Sequence, residues 1–267
     1  GKFTAGEDLG AQYTLDLLTR FSLSAPKMIE VFDHCRDKGI DIMCTPWDLP
    51  SLEVLLEYGV DGLKIASADL TNHALLTAAA KENLPRIVST GRSTEDEIKE
   101  SVALLRRYGA PYALLQVQST YPAPFKDLNL RYMQRLAEIG DCPVGYSGHE
   151  RGYHIPMAAV ALGASVIEKH FTIDRNLEGN DHKVSLLPDE FAAMVRQIRD
   201  VEASLGTAEA RVVAPGEFMN RANLAKSLVA ARDIKSGERI TADAVDVKSP
   251  GRGLQPNSLD KLVGRIA

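Results

Sequence analysis

The sequence predicts an α/β fold wound around a parallel sheet, and three observations carry that prediction. Apolar, strand-like runs alternate with helical patterns over residues 1–205, the order expected of repeated βα units. Those runs are nearly continuous in apolar character, as expected of strands covered on both faces. Polar residues recur where the runs end: Thr45, Asp48, Ser67, Asp69, Ser89, Thr90, Ser119, His149 and His170. Barrels and doubly wound sheets build their active sites at that edge.

Taken in order, a polar opening leads into a helical pattern at 26–38. A strand at 40–48 (IDIMCTPWD) then closes on a Thr-Pro turn. Further strands are expected at 62–69 (GLKIASAD), 85–91 (PRIVSTG), 112–119 (YALLQVQS), 142–149 (CPVGYSGH) and 164–172 (ASVIEKHFT). Helical patterns at 95–108, 157–162 and 188–205 fall between or after them. The tally is about six βα units where a closed barrel of this type needs eight. The expected fold is therefore a (β/α)8 TIM-type barrel lacking its first strands, and the native protein is expected to start earlier. The pattern changes at Gly206. Residues 206–222 read as a linker, and 223–267 as a small β-rich module with turn signals at 235–237 and 250–253.

Composition narrows the function. The 267 residues have a net charge of -5, a pI near 5.7 and 45% hydrophobic content. That is enough to bury a large core, with no basic footprint for nucleic acid or an anionic membrane. No apolar run approaches the ~20 residues of a membrane span, and the opening GKFTAGEDLG lacks a signal peptide's apolar region. Cys35, Cys44 and Cys142 have no metal-type spacing and are odd in number. Free thiols and a cytoplasmic location are expected. A small-molecule partner fits this balance best.

The chemistry concentrates between 144 and 185, where His149, Glu168, His170, Asp181 and His182 fall close together. Glu168 and His170 are two apart on a strand and share one face. Two imidazoles at neighbouring strand ends can share a divalent metal. Either histidine alone reads equally as a hydrogen-bonded group at a strand end; two carboxylates beside the pair favour a site. Lys64 sits in an apolar context, where an unpaired ammonium is costly, so an anionic ligand is expected to face it.

The motifs CTPWD (44–48), KIASADLTN (64–72), STG (89–91), STYPAP (119–124), VGYSGH (144–149) and ALGASVIEKHFTID (161–174) occur here in one order. Together with NDHKVSL (180–186) they resemble the sialic acid synthase family. In the tail, SLVAARDIKSGERIT resembles that family's antifreeze-like SAF domain. The resemblance implies a manganese-dependent transferase of carbohydrate biosynthesis that joins phosphoenolpyruvate to the aldehyde of an open-chain N-acetylhexosamine, releasing phosphate and forming a nonulosonic acid. It implies His149 and His170 as metal ligands. Lys64, Ser67, Ser89 and Ser147 would lie around phosphoenolpyruvate, Ser119 and Tyr121 around the sugar, and Glu168 and Asp181 would be catalytic, with Glu168 orienting His170 or a metal-bound group. It also implies a domain-swapped homodimer in which the SAF module of one subunit covers the barrel of the other.

Three positions depart from the family pattern. Gly148 stands where members often carry Asp, so the carboxylate beside the metal histidine is expected to be missing. Lys248-Ser249-Pro250-Gly251 stands where an Arg usually precedes Pro-Gly, leaving Arg252 or Lys248 to reach the sugar. Ser119 stands where Asn is found. The family's first strands supply a catalytic Glu and a phosphate-binding Lys whose motifs are not in these residues, so activity is expected of the native-length protein. Two other readings stay open: a related phosphoenolpyruvate-dependent ulosonate synthase, and a non-catalytic sugar-binding relative. The acceptor is N-acetylmannosamine or a related aminosugar.

Overall fold

The computed structural model describes residues 11–109 and 111–267. These fall into two units, 1–206 and 207–267. In the first, helices α1 (Ala11–Phe21) and α2 (Ala25–Asp37) precede strand β1 (Met43–Cys44). Then follow α3 (Leu49–Tyr58), β2 (Gly62–Ile65), α4 (His73–Lys81), β3 (Arg86–Ser89), α5 (Glu95–Tyr108), β4 (Tyr112–Val117), α6 (Tyr132–Gly140), β5 (Val144–Gly148), α7 (His154–Ala161), β6 (Val166–Lys169) and α8 (Pro188–Leu205).

The six strands pair in the order β1-β2-β3-β4-β5-β6, and every pairing is parallel. A doubly wound sheet reverses its strand order at a switch point. This sheet never reverses, so it is an arc of a (β/α)8 barrel carrying, among the described residues, six of the eight strands. Helices cross over between consecutive strands and cover the outer face, where Leu63, Ile65, Val88, Leu114 and Tyr146 join Leu76, Ile98, Leu105, Met133 and Leu136 in one buried cluster.

Local chemistry sets the element boundaries. Thr94 and Glu97 form a reciprocal capping box at the start of α5, and Gly109 closes that helix at φ 71. Asp48, expected at a strand end, instead caps α3 by accepting from the Ser51 amide. Asp69 lies in a 3-10 turn, accepting from Asn72. The strands are shorter than their apolar runs because the chain bends into such turns as soon as the ladder ends. Arg86 on β3 is 1% exposed. Its guanidinium donates to the Ala79 and Glu82 carbonyls, satisfying the last turn of α4 and placing a cation at that helix's negative end.

Two expectations are corrected. The polar opening, read without an element, contains α1. The stretch read as a linker contains most of helix α9 (Pro215–Leu224), in the second unit. Gly216 near its start, and the exposure of Phe218, Met219 and Leu224, leave no buried face to give it a period. The second unit also holds the antiparallel pair β7 (Ser227–Ala230) and β8 (Val245–Lys248), then α10 (Leu259–Leu262). Cys35, Cys44 and Cys142 are free thiols. Among the described residues no helix is long and apolar enough to cross a membrane.

Candidate active site

The C-terminal ends of β2 to β6 surround a cavity of about 420 Å³. Its walls include Lys64 from β2, Ser67 from the turn beyond it, Ser89 from β3, and Ser119 and Tyr121 beyond β4. Ser147 comes from β5, His149 from just after it, Glu168 from β6, His170 from just after it, and Asp181 from a 3-10 turn. These expected site residues are thus brought together. Arg252 belongs to the second unit, where its guanidinium donates to Asn223 Oδ1 at 3.1 Å.

Register explains the convergence. Ser147 lies opposite Glu168 across the β5–β6 ladder, so alternation turns Ser147, His149, Glu168 and His170 toward the cavity. Ser147 Oγ donates to Glu168 Oε1 at 2.7 Å, and Lys64 Nζ lies 3.5 Å from Glu168 Oε2. Lys64 also donates to Ser89 Oγ at 2.7 Å and to the Ile65 carbonyl at 3.1 Å. Burial pushes the Lys64 ammonium's pKa down, and Glu168 opposes that shift. Glu168 thus serves Lys64 and Ser147, while the carboxylate beside His170 is that of Asp181, at 3.9 Å.

Gly91 leaves room for both hydroxyls. A Cβ there would stand 2.3 Å from Ser119 Oγ and 2.9 Å from Ser67 Oγ. Ser119 Oγ is buried and has no hydrogen-bond partner among the described residues. Buried hydroxyls are normally satisfied, so an orphan at a cavity wall points to a bound ligand.

The two histidines lie side by side at the cavity wall. His149, 7% exposed, shares Nδ1 with the Gln118 carbonyl at 3.0 Å. A carbonyl only accepts, so Nδ1 carries the proton and Nε2 presents its lone pair, to the Tyr121 hydroxyl here and to any Lewis acid that displaced it. Burial first, then His170, pushes the His149 pKa down to about 4, so the ring is neutral at pH 7. Tyr121 stacks on it with centroids 4.2 Å apart, and its hydroxyl meets Nε2 at 3.3 Å. Burial raises the Tyr121 pKa, keeping that hydroxyl protonated as a donor. The His170 ring centroid is 5.2 Å from that of His149. Among the described residues no group of three or more His, Cys, Asp or Glu could hold a metal ion. The two imidazoles are the donors these residues could offer to a divalent cation, and water and substrate would have to fill its remaining positions.

Three features escaped sequence reasoning. Trp47, 64% exposed, and Arg92, held at φ 66, line both this cavity and an adjoining recess of about 1110 Å³. That recess continues to Leu17, Phe21, Glu178 and Asn180. Their signals were an aromatic next to Thr-Pro and a basic residue right after the STG turn. His182 lines only the recess and pairs through Nδ1 with Thr172 Oγ1 at 2.8 Å. The third feature is Glu150. The carboxylate expected to be missing at position 148 has a counterpart, because both Glu150 oxygens lie 2.9 Å from where a Cβ on Gly148 would be.

A family model described as NeuB family matches residues 1–210, and one described as SAF domain matches 225–267. The chain belongs to the NeuB family. It is 39% identical to N,N'-diacetyllegionaminic acid synthase of Campylobacter jejuni, over 95% of this chain and 76% of that one. It is 35% identical to human N-acetylneuraminate-9-phosphate synthase, over 88% of this chain and 66% of that one. The solved N-acetylneuraminic acid synthetase of Leptospira borgpetersenii is 34% identical and superposes with a TM-score of 0.74, covering 82% of this chain and 78% of that one. Membership in a family of such synthases makes the chain a C–C bond-forming transferase.

Proposed function

We propose that this NeuB-family protein condenses phosphoenolpyruvate with an open-chain N-acetylhexosamine, N-acetylmannosamine or a related aminosugar, giving a nonulosonic acid and phosphate. The observation that carries the proposal is the presence of a largely buried Lys64 ammonium and an orphaned Ser119 hydroxyl in a cavity that two imidazoles also face. An anion and a polar co-substrate would satisfy all of these groups at once.

In this reading Lys64 takes the phosphoenolpyruvate anion by a charge-assisted hydrogen bond, with Ser67 and Ser89 donating around it and Ser147, whose proton is engaged by Glu168, lining its site. The aminosugar enters from the adjoining recess, its polar groups meeting Ser119, Tyr121, Asp181 and Arg92 while Trp47 covers an apolar face. Holding the two substrates end to end replaces a bimolecular encounter by an oriented one. C3 of the enol bonds to the aldehyde carbon, water adds at C2, and phosphate leaves as C2 becomes a carbonyl; of the water's two protons, one ends on the former aldehyde oxygen and one on the phosphate. Glu168, already an acceptor for Ser147, takes the proton of that water at a carboxylate oxygen. A divalent cation, assigned to Mn2+ and held by His149 and His170, would supply Lewis-acid stabilisation of the aldehyde oxygen. Arg252 or Lys248 would contact the sugar from the SAF domain of a partner subunit in a domain-swapped homodimer.

The test is phosphate release by the full protein with phosphoenolpyruvate, Mn2+ and a panel of N-acetylmannosamine, its 6-phosphate and deoxy-diacetamido hexoses. Release that depends on one of these sugars supports the reading and identifies the acceptor. Silence across the panel, with binding of phosphoenolpyruvate intact, refutes it.

A further inference from the structure

We propose that Glu150 and Lys169 form a buried clamp that sets the separation of the two metal-binding imidazoles, acting as positioning residues; this rests on the metal reading of His149 and His170 given above. Each member of the pair is the immediate chain neighbour of one of those histidines. Both side chains are 0% exposed, and Lys169 Nζ meets Glu150 Oε1 at 2.9 Å. Lys169 also donates to the Glu150 main-chain carbonyl, so one ammonium holds both ends of the same residue. Tyr146 donates to the other carboxylate oxygen at 2.6 Å.

The placement follows from strand alternation. Gly148 lies opposite Lys169 in the β5–β6 register, one step from the Ser147–Glu168 pair that faces the cavity. Tyr146, Gly148 and Lys169 therefore point to the opposite face; Lys169 also borders the cavity, but its fully buried side chain closes behind the site. A glycine at 148 leaves room for the carboxylate, because a Cβ there would meet both oxygens at 2.9 Å and force it to shift. The main chain between the histidines is pinned on either side as well. The His149 carbonyl accepts from the Ala123 amide at 3.0 Å, and the His170 carbonyl from the Leu186 amide at 2.8 Å.

A fully buried ion pair is a costly way to gain stability, since apolar groups of similar volume usually do as well or better. Its position across the two strand ends that carry the imidazoles supplies a different use, because outer groups that orient metal ligands commonly govern affinity by about 10- to 100-fold. The clamp thus explains why a buried charge pair sits at this point in the sheet.

The experiment compares Mn2+ binding, read by electron paramagnetic resonance of the free ion, with thermal melting followed by circular dichroism. The proteins are the full-length wild type, Lys169→Arg, Glu150→Gln, and the double variant Glu150→Leu/Lys169→Met. Loss of roughly tenfold or more in Mn2+ affinity is expected for Glu150→Gln and for the double variant at a temperature where each is folded, with Lys169→Arg close to wild type. A folded double variant that binds Mn2+ like wild type overturns the clamp and leaves the metal site standing. If the double variant does not fold, Glu150→Gln supplies the same comparison. Wild-type protein that binds no Mn2+ overturns the metal reading and the clamp with it.

Discussion

Replacing Lys64 by Met separates the cost of the site from its use. Two donors of the Lys64 ammonium are engaged by Ser89 and the Ile65 carbonyl. The remaining one faces Glu168 Oε2 at 3.5 Å, longer than a good hydrogen bond, and would turn to an anion in the cavity. One charge-assisted hydrogen bond is worth about 1.5–3 kcal/mol, which corresponds to roughly 10- to 150-fold in phosphoenolpyruvate affinity. Stability should respond differently. The Glu168 side chain is 40% exposed and stays hydrated when its partner goes, so the ion pair contributes about 0–1 kcal/mol. Met keeps the stem of the lysine and removes an ammonium whose burial already lowers its pKa. Lys64→Met is therefore expected to melt within about 2–4 °C of wild type while losing phosphoenolpyruvate binding by calorimetry. A folded variant whose affinity is unchanged refutes the anion assignment, and a large fall in melting temperature refutes the energetic argument.

Arg86→Met strips the last carbonyls of α4 of their buried donor and should cost about 3 kcal/mol in urea denaturation; a loss under about 1 kcal/mol would show those carbonyls reach water. Gly145→Ala places a Cβ 2.3 Å from the Val166 carbonyl oxygen and 2.6 Å from Leu115 Cδ2, so it must push β6 from β5. Destabilisation of about 1–3 kcal/mol or more is expected together with loss of turnover, and wild-type activity in this variant would contradict the β5–β6 geometry. Hydrogen bonds from Arg135, then Lys99, hold the Glu95 carboxyl down to about 2. A lowered carboxyl pKa stabilises the fold above its ordinary value near 4.5, and that contribution is lost as pH falls through about 2. Arg135→Gln should be less stable than wild type at pH 6 and converge with it near pH 2, whereas a constant difference by denaturant titration would assign the arginine another role.

The parts of the molecule legible in the sequence are those governed by local pattern. Helix α5 was read at its observed bounds because Thr94, Glu97 and Gly109 mark both ends, and α8 because Pro188 starts it and Gly206 follows it. The strands were recognised from their continuous apolar character but drawn too long, since the 3-10 turns beyond them use the same small and apolar residues. Helix α9 was missed because an amphipathic period appears only where a face is buried. At the site, strand-end position and period two were enough to gather the serines, Lys64 and the two imidazoles. The partners of those groups were not legible, because they depend on contacts across the sheet. Glu168 meets Lys64, 104 positions earlier, through the curvature of the whole arc, and the Glu150–Lys169 pair lies on the face that no catalytic motif marks. Trp47 and Arg92 became visible only once the two recesses were seen to share a wall.

The central claim is that the imidazole-lined cavity at the strand ends is where carbon–carbon bond formation occurs. It is tested most directly by following product by mass spectrometry, and phosphate alongside it, for the full protein and its His149→Ala/His170→Ala variant with phosphoenolpyruvate, Mn2+ and the preferred aminosugar. Wild type should form one nonulosonic acid for each phosphate released, and the folded double variant should form neither. Sugar-independent phosphate release by the wild type, or undiminished product from the variant, would contradict the account.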